Sequence, residues 1–310
     1  MFADKCDYPQ SEMIVRTALE LGINFIDTAS MYSKGACEEY LGKALQGHRD
    51  EIFIATKVLK GLDQKSITES IDESLKRLQM DYVDLYMIHW PVPGMVIKEM
   101  MTGLNQVVKD GKAKYVGCCN FPAWLLASAN AVAVENGWPK LVCNQVAYNL
   151  FERGIEVEIL PQAMAEGIAI MAYRPLAVGL LSGKFRQGKA FAEKSRGTTD
   201  SRVITWFTQH SDSIERFVEF AETKEVPPAE LAVAWVSYSP AVTAPIIGVS
   251  SVDQLKDSSK AADIKLTPEE YKTITSMFNT DVKEEGLQLF PGLKYNFPRL
   301  RRNLFLTKKE

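Results

Sequence analysis

Seven short apolar runs, rich in β-branched residues, recur at 23–27, 52–56, 82–88, 114–118, 142–147, 168–172 and 243–247, with stretches of helical spacing between them. No other feature constrains the fold as strongly. Strands alternating with helices build a parallel sheet with right-handed crossovers. Residues 66–78 set Ile67, Ile71, Leu75 and Leu78 on one helix face, and Ser66-x-x-Glu69 reads as a capping box at its start. Residues 96–110 carry Met100, Leu104, Val107 and Val108 and stop at Asp110-Gly111. A helix over 122–136 begins at Pro122 and ends before Gly137. Residues 228–238 and 267–278 are helical too, the latter opened by Thr267-Pro268-Glu269-Glu270. A helical run with Met13, Ile14, Ala18 and Leu19 comes before the first strand. No GxGxxG follows any strand, so the reading is an α/β fold closed into a TIM (β/α)8-type barrel rather than an open doubly wound sheet.

The 310 residues are 46% hydrophobic, enough for one large core. The expectation is a single domain over 1–310, with a C-terminal segment of about 280–310 packing over it and Phe290, Tyr295 and Phe297 facing a pocket or the barrel wall. The longest irregular stretch runs from about 183 to 210. A net charge of −3 leaves no electrostatic footprint for nucleic acid. Five cysteines, two of them adjacent, form neither a disulfide framework nor a CxxC, and the three histidines are scattered, so no metal is expected. Without a signal-like start or an apolar run of membrane length, a cytoplasmic protein with no membrane insertion is expected. A homo-oligomer stays open.

Four residues fall at or just beyond strand ends: Asp27, Tyr32, Lys57 and His89. Strand C-termini are where barrel enzymes place their chemistry. A phenol gives up a proton poorly at neutral pH, and a cation beside it stabilises the phenolate. Lys57 supplies that cation, Asp27 fixes the lysine, and His89 can donate a hydrogen bond to a carbonyl oxygen. The set suits protonation of an oxygen that acquires negative charge. Gly179-Leu-Leu-Ser-Gly-Lys-Phe looks like a phosphate loop, but its spacing is one residue short and Phe185 replaces the Ser/Thr, so it is not a Walker A motif.

These residues, in this order, resemble the aldo-keto reductases. So do Gly22-Ile-Asn-Phe-Ile-Asp-Thr-Ala, Glu38-Glu-Tyr-Leu-Gly-Lys-Ala-Leu, Asp81-Tyr-Val-Asp-Leu-Tyr-Met-Ile-His89, Gly117-x-x-Asn120-Phe121, Ala172-Tyr-Arg-Pro-Leu176 and Pro245-Ile-Ile-Gly-Val-Ser-Ser251. The likeness runs from about residue 10 to 275 and is nearest the general reductase and potassium-channel β-subunit branch. It implies reduction of aldehydes or ketones with NADPH, ahead of NADH, and a small carbonyl substrate. Asp27, Tyr32, Lys57 and His89 match the family tetrad, with Tyr32 as general acid. Cys119, Asn120 and Gln145 match the residues around the nicotinamide carboxamide, and Tyr173 the ring that stacks on the nicotinamide. Arg174, Leu176 and Lys184 lie where the family meets pyrophosphate, and Lys184 and Arg196 could pair with the 2′-phosphate. Gly248, Ser250, Gln254, Asp257 and Ser258 fall in the adenosine-phosphate segment.

The chain departs from the pattern at several of these positions. Cys119 replaces the usual Ser, and a thiol is the weaker donor. Arg174 also stands for Ser, Ser250 for a frequent Arg or Lys, and Asp257-Ser258 for Glu-Asn. Relatives carry one more strand before the first helix, and Met1-Phe-Ala resembles the residues just after that strand's closing turn. The first barrel strand is therefore expected to be missing, which leaves two unpaired sheet edges. Two alternatives to a reductase stay open: a cofactor-binding regulatory subunit like the channel β-subunits, or a truncated inactive pseudoenzyme.

Overall fold

The structure, a computed structural model, describes residues 2–189, 191, 193 and 196–278. The expectations for about 280–310, including Phe290, Tyr295 and Phe297, lie outside these residues. Seven parallel strands stand in sequence order: β1 (Phe25–Asp27), β2 (Phe53–Val58), β3 (Val83–Ile88), β4 (Ala113–Cys119), β5 (Leu141–Ala147), β6 (Ala169–Tyr173) and β7 (Val242–Ile246). Each strand lies within two residues of its expected run at both ends. The sheet curls into a nearly closed barrel with helices around it. Every residue of β3 is buried, as expected where one face meets the lumen and the other the helices.

The helices are α1 (Tyr8–Glu20), α2 (Ala36–Ala44), α3 (Gln64–Leu78), α4 (Ile97–Lys109), α5 (Ala123–Asn136), α6 (Ile159–Glu166), α7 (Arg196–Thr199), α8 (Ser201–Thr223), α9 (Pro228–Tyr238), α10 (Val252–Ser259) and α11 (Pro268–Ser276). Two sequence readings need correction. Ser66 does not cap α3. Asp63 does, accepting from the Ser66 N–H at 3.0 Å and from its hydroxyl at 2.6 Å, so the helix starts two residues earlier. The irregular stretch also ends sooner, because α8 runs from Ser201, capped by Asp200. Its β-branched and aromatic residues (Val203, Ile204, Trp206, Phe207) mask a helix that Phe151 and Phe185 hold by ring contacts. The helix bends at His210, whose φ and ψ are −129° and 19°. The capping box at Thr267 and Glu270 is formed in full.

Two apolar layers result. A shell between strands and helices contains Ile54, Leu104, Leu126 and Trp235, among many others. Inside the barrel, Ala55, Leu85, Met87, Cys119, Cys143 and Met171 fill the lumen. Gly117 belongs to this layer by necessity, since a Cβ there would lie 2.3 Å from the Cys143 Sγ. All five cysteines are free and buried.

β1 and β7 do not pair with each other, and among the described residues no strand stands between them. Before α1 there is only one isolated bridge among the described residues, Phe2 to Cys6. The seam is held from outside: Cys6 and Ile14 pack with Val249 and Leu255 of the α10 region, and the Cys6 thiol donates to the Ser250 carbonyl at 3.6 Å. At the opening end of the strands, buried Asp84 takes Arg49 at 2.9 Å, Lys114 at 2.9 Å and the Ile54 N–H at 3.0 Å. No helix among the described residues is long and apolar enough to cross a membrane.

Candidate active site

At the C-terminal end of the barrel the strands converge side chains that are distant in sequence. Lys57, the fifth residue of β2, is fully buried, and its ammonium donates to Asp27 Oδ2 at 2.7 Å and to the Thr28 carbonyl at 2.8 Å. Burial works against a charge on Lys57, but Asp27 and the other negative groups around it outweigh that, so its pKa is raised and it stays an ammonium. Thr28 escaped the sequence reading because its part is played by main chain, which carries no residue-type signal.

Tyr32 opens a short 3-10 turn just past β1. The Lys57 nitrogen lies 5.1 Å from the centre of its ring. Lys57 pulls the phenol pKa down, as the sequence suggests, yet burial outweighs it and the net direction is up. Tyr32 is therefore held as a neutral phenol rather than a phenolate. His89 follows β3, with its ring edge-on to Tyr32 at 5.6 Å. Burial first, and then the charge of Lys57, bring its pKa down to about 4, so the imidazole is neutral at physiological pH. Its Nδ1 is buried with no hydrogen-bond partner among the described residues. An orphaned polar atom on the donor side of a cleft is costly unless a ligand can use the ring.

A second row of amides borders the first. Gln145 on β5 donates from Nε2 to Asp27 Oδ1 at 2.8 Å. Asn120, directly after β4 and in the left-handed region at φ 60°, donates to the His89 carbonyl at 3.3 Å and accepts from the Tyr173 hydroxyl at 2.8 Å. Burial pushes the Tyr173 pKa up to about 12. The Cys119 thiol lies 4.0 Å from Gln145 Oε1 and 3.9 Å from Met87 Sδ, contacts that fit a weak donor in an apolar lumen. Eight of the expected residues thus form one connected cluster: Asp27, Tyr32, Lys57, His89, Cys119, Asn120, Gln145 and Tyr173.

The other expected residues form two further groups. Beyond β6, Arg174, Ala177 and Val178 all have positive φ, which folds the loop tightly over the end of the strand. Arg174 sits 5.2 Å from the Tyr173 ring and pairs with Glu152 at 3.6 Å, a partner the sequence did not single out because Glu152 belongs to the preceding loop. Leu176 packs against the shell, and Lys184 is exposed. Arg196 opens α7. The third group lies at the start of α10. Ser251 caps it, and Ser250 donates to Gln254 Oε1 from N at 2.9 Å and from Oγ at 3.1 Å. Gly248 precedes it, and Asp257 and Ser258 lie within the helix, Asp257 paired with Lys260. No group of three or more His, Cys, Asp or Glu among the described residues could hold a metal.

The Tyr173 hydroxyl meets the buried amide of Asn120, and the amino end of α10 offers the N–H groups and helix dipole that favour an anion. Within the cluster, one phenol and one neutral imidazole can meet a carbonyl oxygen.

Comparison with known proteins bears on the family and the fold. The sequence model of the aldo/keto reductase family matches residues 2–279. The chain is 33% identical over 317 residues to norsolorinic acid reductase B of Aspergillus parasiticus, covering 96% of this chain and 79% of that protein. It is 32% identical over 295 residues to a putative voltage-gated potassium channel subunit beta of Schizosaccharomyces pombe, covering 88% of this chain and 85% of that one. Among solved structures, an aldo/keto reductase from Klebsiella pneumoniae in complex with NADP and acetate superposes with a TM-score of 0.72 at 28% identity, covering 89% of this chain and 87% of that one.

Proposed function

The chain belongs to the aldo/keto reductase family, and we propose that it reduces small or aromatic aldehydes and ketones to alcohols with NADPH. The observation that carries this reading is the buried Lys57–Asp27 pair beneath Tyr32, with His89 edge-on beside it. NADPH would supply the hydride. Asn120 and Gln145 would hold its carboxamide, Tyr173 would stack on its ring, and Arg174, Lys184 and the start of α10 would take its phosphates. The NADP in the Klebsiella pneumoniae relative supports that choice.

The chain's own part is to place and protonate the carbonyl oxygen. Tyr32 donates its proton as negative charge gathers there. Lys57 makes the donation easier by stabilising the phenolate left behind, and Asp27 keeps the ammonium in place. The neutral His89 donates its N–H to the same oxygen and orients it. A neutral imidazole is the better choice here, because an imidazolium would compete with Tyr32 as the acid.

The likeness to a channel β-subunit supports a second reading, in which slow turnover at this site reports redox state to a partner. One assay separates the two. NADPH oxidation by the purified chain with an aromatic aldehyde should be readily measured and fall about 10²–10⁴-fold in Tyr32→Phe, the usual share of a general acid. Turnover equal in the two proteins would overturn the mechanism. Tyr32-dependent turnover slower than about one per minute, well below ordinary enzyme rates, would favour the regulatory reading.

A further inference from the structure

Where β4 ends, the chain leaves the sheet in one tightly specified turn. Cys119 is the last residue of β4 and pairs with Gln145 of β5, and the Asn120 N–H still donates to the Gln145 carbonyl at 2.9 Å. Asn120 then enters the left-handed region at φ 60°, a conformation that asparagine tolerates better than most side chains. The next residue, Phe121, is fully buried, so its N–H and C=O need partners away from water. Both go to one side chain. Asn144, in the middle of β5 and itself fully buried, donates from Nδ2 to the Phe121 carbonyl at 2.8 Å and accepts from the Phe121 N–H at 3.3 Å. That N–H belongs to the peptide joining Asn120 to Phe121, so the grip bears directly on the backbone angle that turns Asn120. From this turn the Asn120 side chain reaches the His89 carbonyl and the Tyr173 hydroxyl.

We infer that Asn144 is a positioning residue: it holds the turn at Asn120 and so aims the Asn120 amide into the cleft. With its own amide engaged by Phe121, Asn144 acts through Asn120 and not on a ligand. Two bonds to one amide fix the orientation of the main chain as well as its place, which a single bond or apolar packing would not do. The consequence for NADPH rests on the proposed role of Asn120 at the carboxamide, whereas the grip on the turn does not. A matched pair elsewhere serves as the comparison. Asn130 of α5 grips both main-chain groups of Leu141 in the same manner, at 2.8 and 3.2 Å, but at the start of β5, the end away from the strand C-termini. Breaking that pair should cost the fold and leave the cleft as it is.

Asn144→Leu keeps the side-chain volume and removes the grip. In the ligand-free protein labelled with isotopic asparagine, nuclear magnetic resonance reads the side-chain amide of Asn120, identified by its loss in Asn120→Ala. Those signals should shift in Asn144→Leu and stay in place in Asn130→Leu. Signals unmoved by Asn144→Leu would overturn the inference. Fluorescence titration with NADPH gives the second readout. Asn144→Leu should raise the dissociation constant at least about tenfold, but less than about twofold when Asn120 is already alanine, because residues acting as a unit do not lose affinity additively. The same loss with and without Asn120 would overturn the inference too, since a general structural defect behaves in that way. Shifted signals with NADPH affinity unchanged in both Asn144→Leu and Asn120→Ala would uphold the grip and sink instead the assignment of Asn120 to the carboxamide. Circular dichroism shows whether each variant is folded. If Asn144→Leu is not, Asn144→Ala takes its place, because the space it opens admits water to the Phe121 groups.

Discussion

Gln145 Nε2 donates to Asp27 Oδ1 across the barrel lumen at 2.8 Å, while the other oxygen of the same carboxylate takes Lys57 at 2.7 Å. Asp27 thus stands between an amide expected to meet the cofactor and the cation that supports the proton donor. Gln145→Leu removes both the amide and that bond. The variant is expected to lose about 1–3 kcal/mol of stability, the cost of an unpaired buried acceptor. It should also bind NADPH at least about tenfold more weakly by fluorescence titration. Unchanged affinity would mean that Gln145 serves the carboxylate alone.

The Lys57–Asp27 pair lends itself to a double-mutant cycle. Lys57→Met leaves Asp27 as a nearly buried carboxylate without its cation and should cost about 3–5 kcal/mol in urea unfolding. Adding Asp27→Leu removes the stranded charge. The double variant is expected to be more stable than Lys57→Met alone while remaining inactive. Additive losses would show that the two do not act as a pair.

His89 gives the fold a pH dependence whose sign comes from its low pKa. The unfolded chain protonates His89 near 6.5, the folded chain only near 4. Between those values the unfolded state binds more protons, so stability falls as the pH is lowered through this window. The gap of about 2.5 units corresponds to roughly 3 kcal/mol as an upper figure. His89→Gln should flatten the stability profile between pH 4 and 6.5, measured by urea unfolding. The same slope in both proteins would assign the effect to other groups.

Asp63→Ala should lower the melting temperature measurably, because it takes away the side-chain acceptor at the start of α3. Ser66→Ala should cost less, since the Ser66 N–H still reaches Asp63. Thermal melts of the two variants decide between them. A larger loss in Ser66→Ala would return the cap to that residue.

Much of the architecture was legible because it rests on periodicity. Seven apolar runs became seven strands, and strand ends are a place that sequence can name. Hence Asp27, Lys57 and His89 could be located before any contact was known. What remained hidden depends on three dimensions. The Asp63 cap competes with a Ser66-x-x-Glu69 pattern of equal local quality, and only the entry angle of the chain selects between them. α8 is held by Phe151 and Phe185 from other segments rather than by its own propensity. The net direction of the Tyr32 pKa depends on how deeply the ring is buried, which spacing along a chain does not record. Glu152 meets Arg174 only because the loops after β5 and β6 fold toward each other.

The seam between β1 and β7 places a mechanical weakness at a chemically consequential point. β1 is three residues long, bonded on one side only among the described residues, and ends in Asp27. Fluctuations that lift this short strand away from β2 would carry the carboxylate off Lys57. Beyond the pairing of β1 with β2, the seam is closed by the packing of Cys6 and Ile14 on Val249 and Leu255, outside the barrel lumen. In the proposed reaction, proton delivery by Tyr32 would then depend in part, at a distance, on apolar residues that never face the cleft. A loosened clasp would slow the chemistry before it melted the fold.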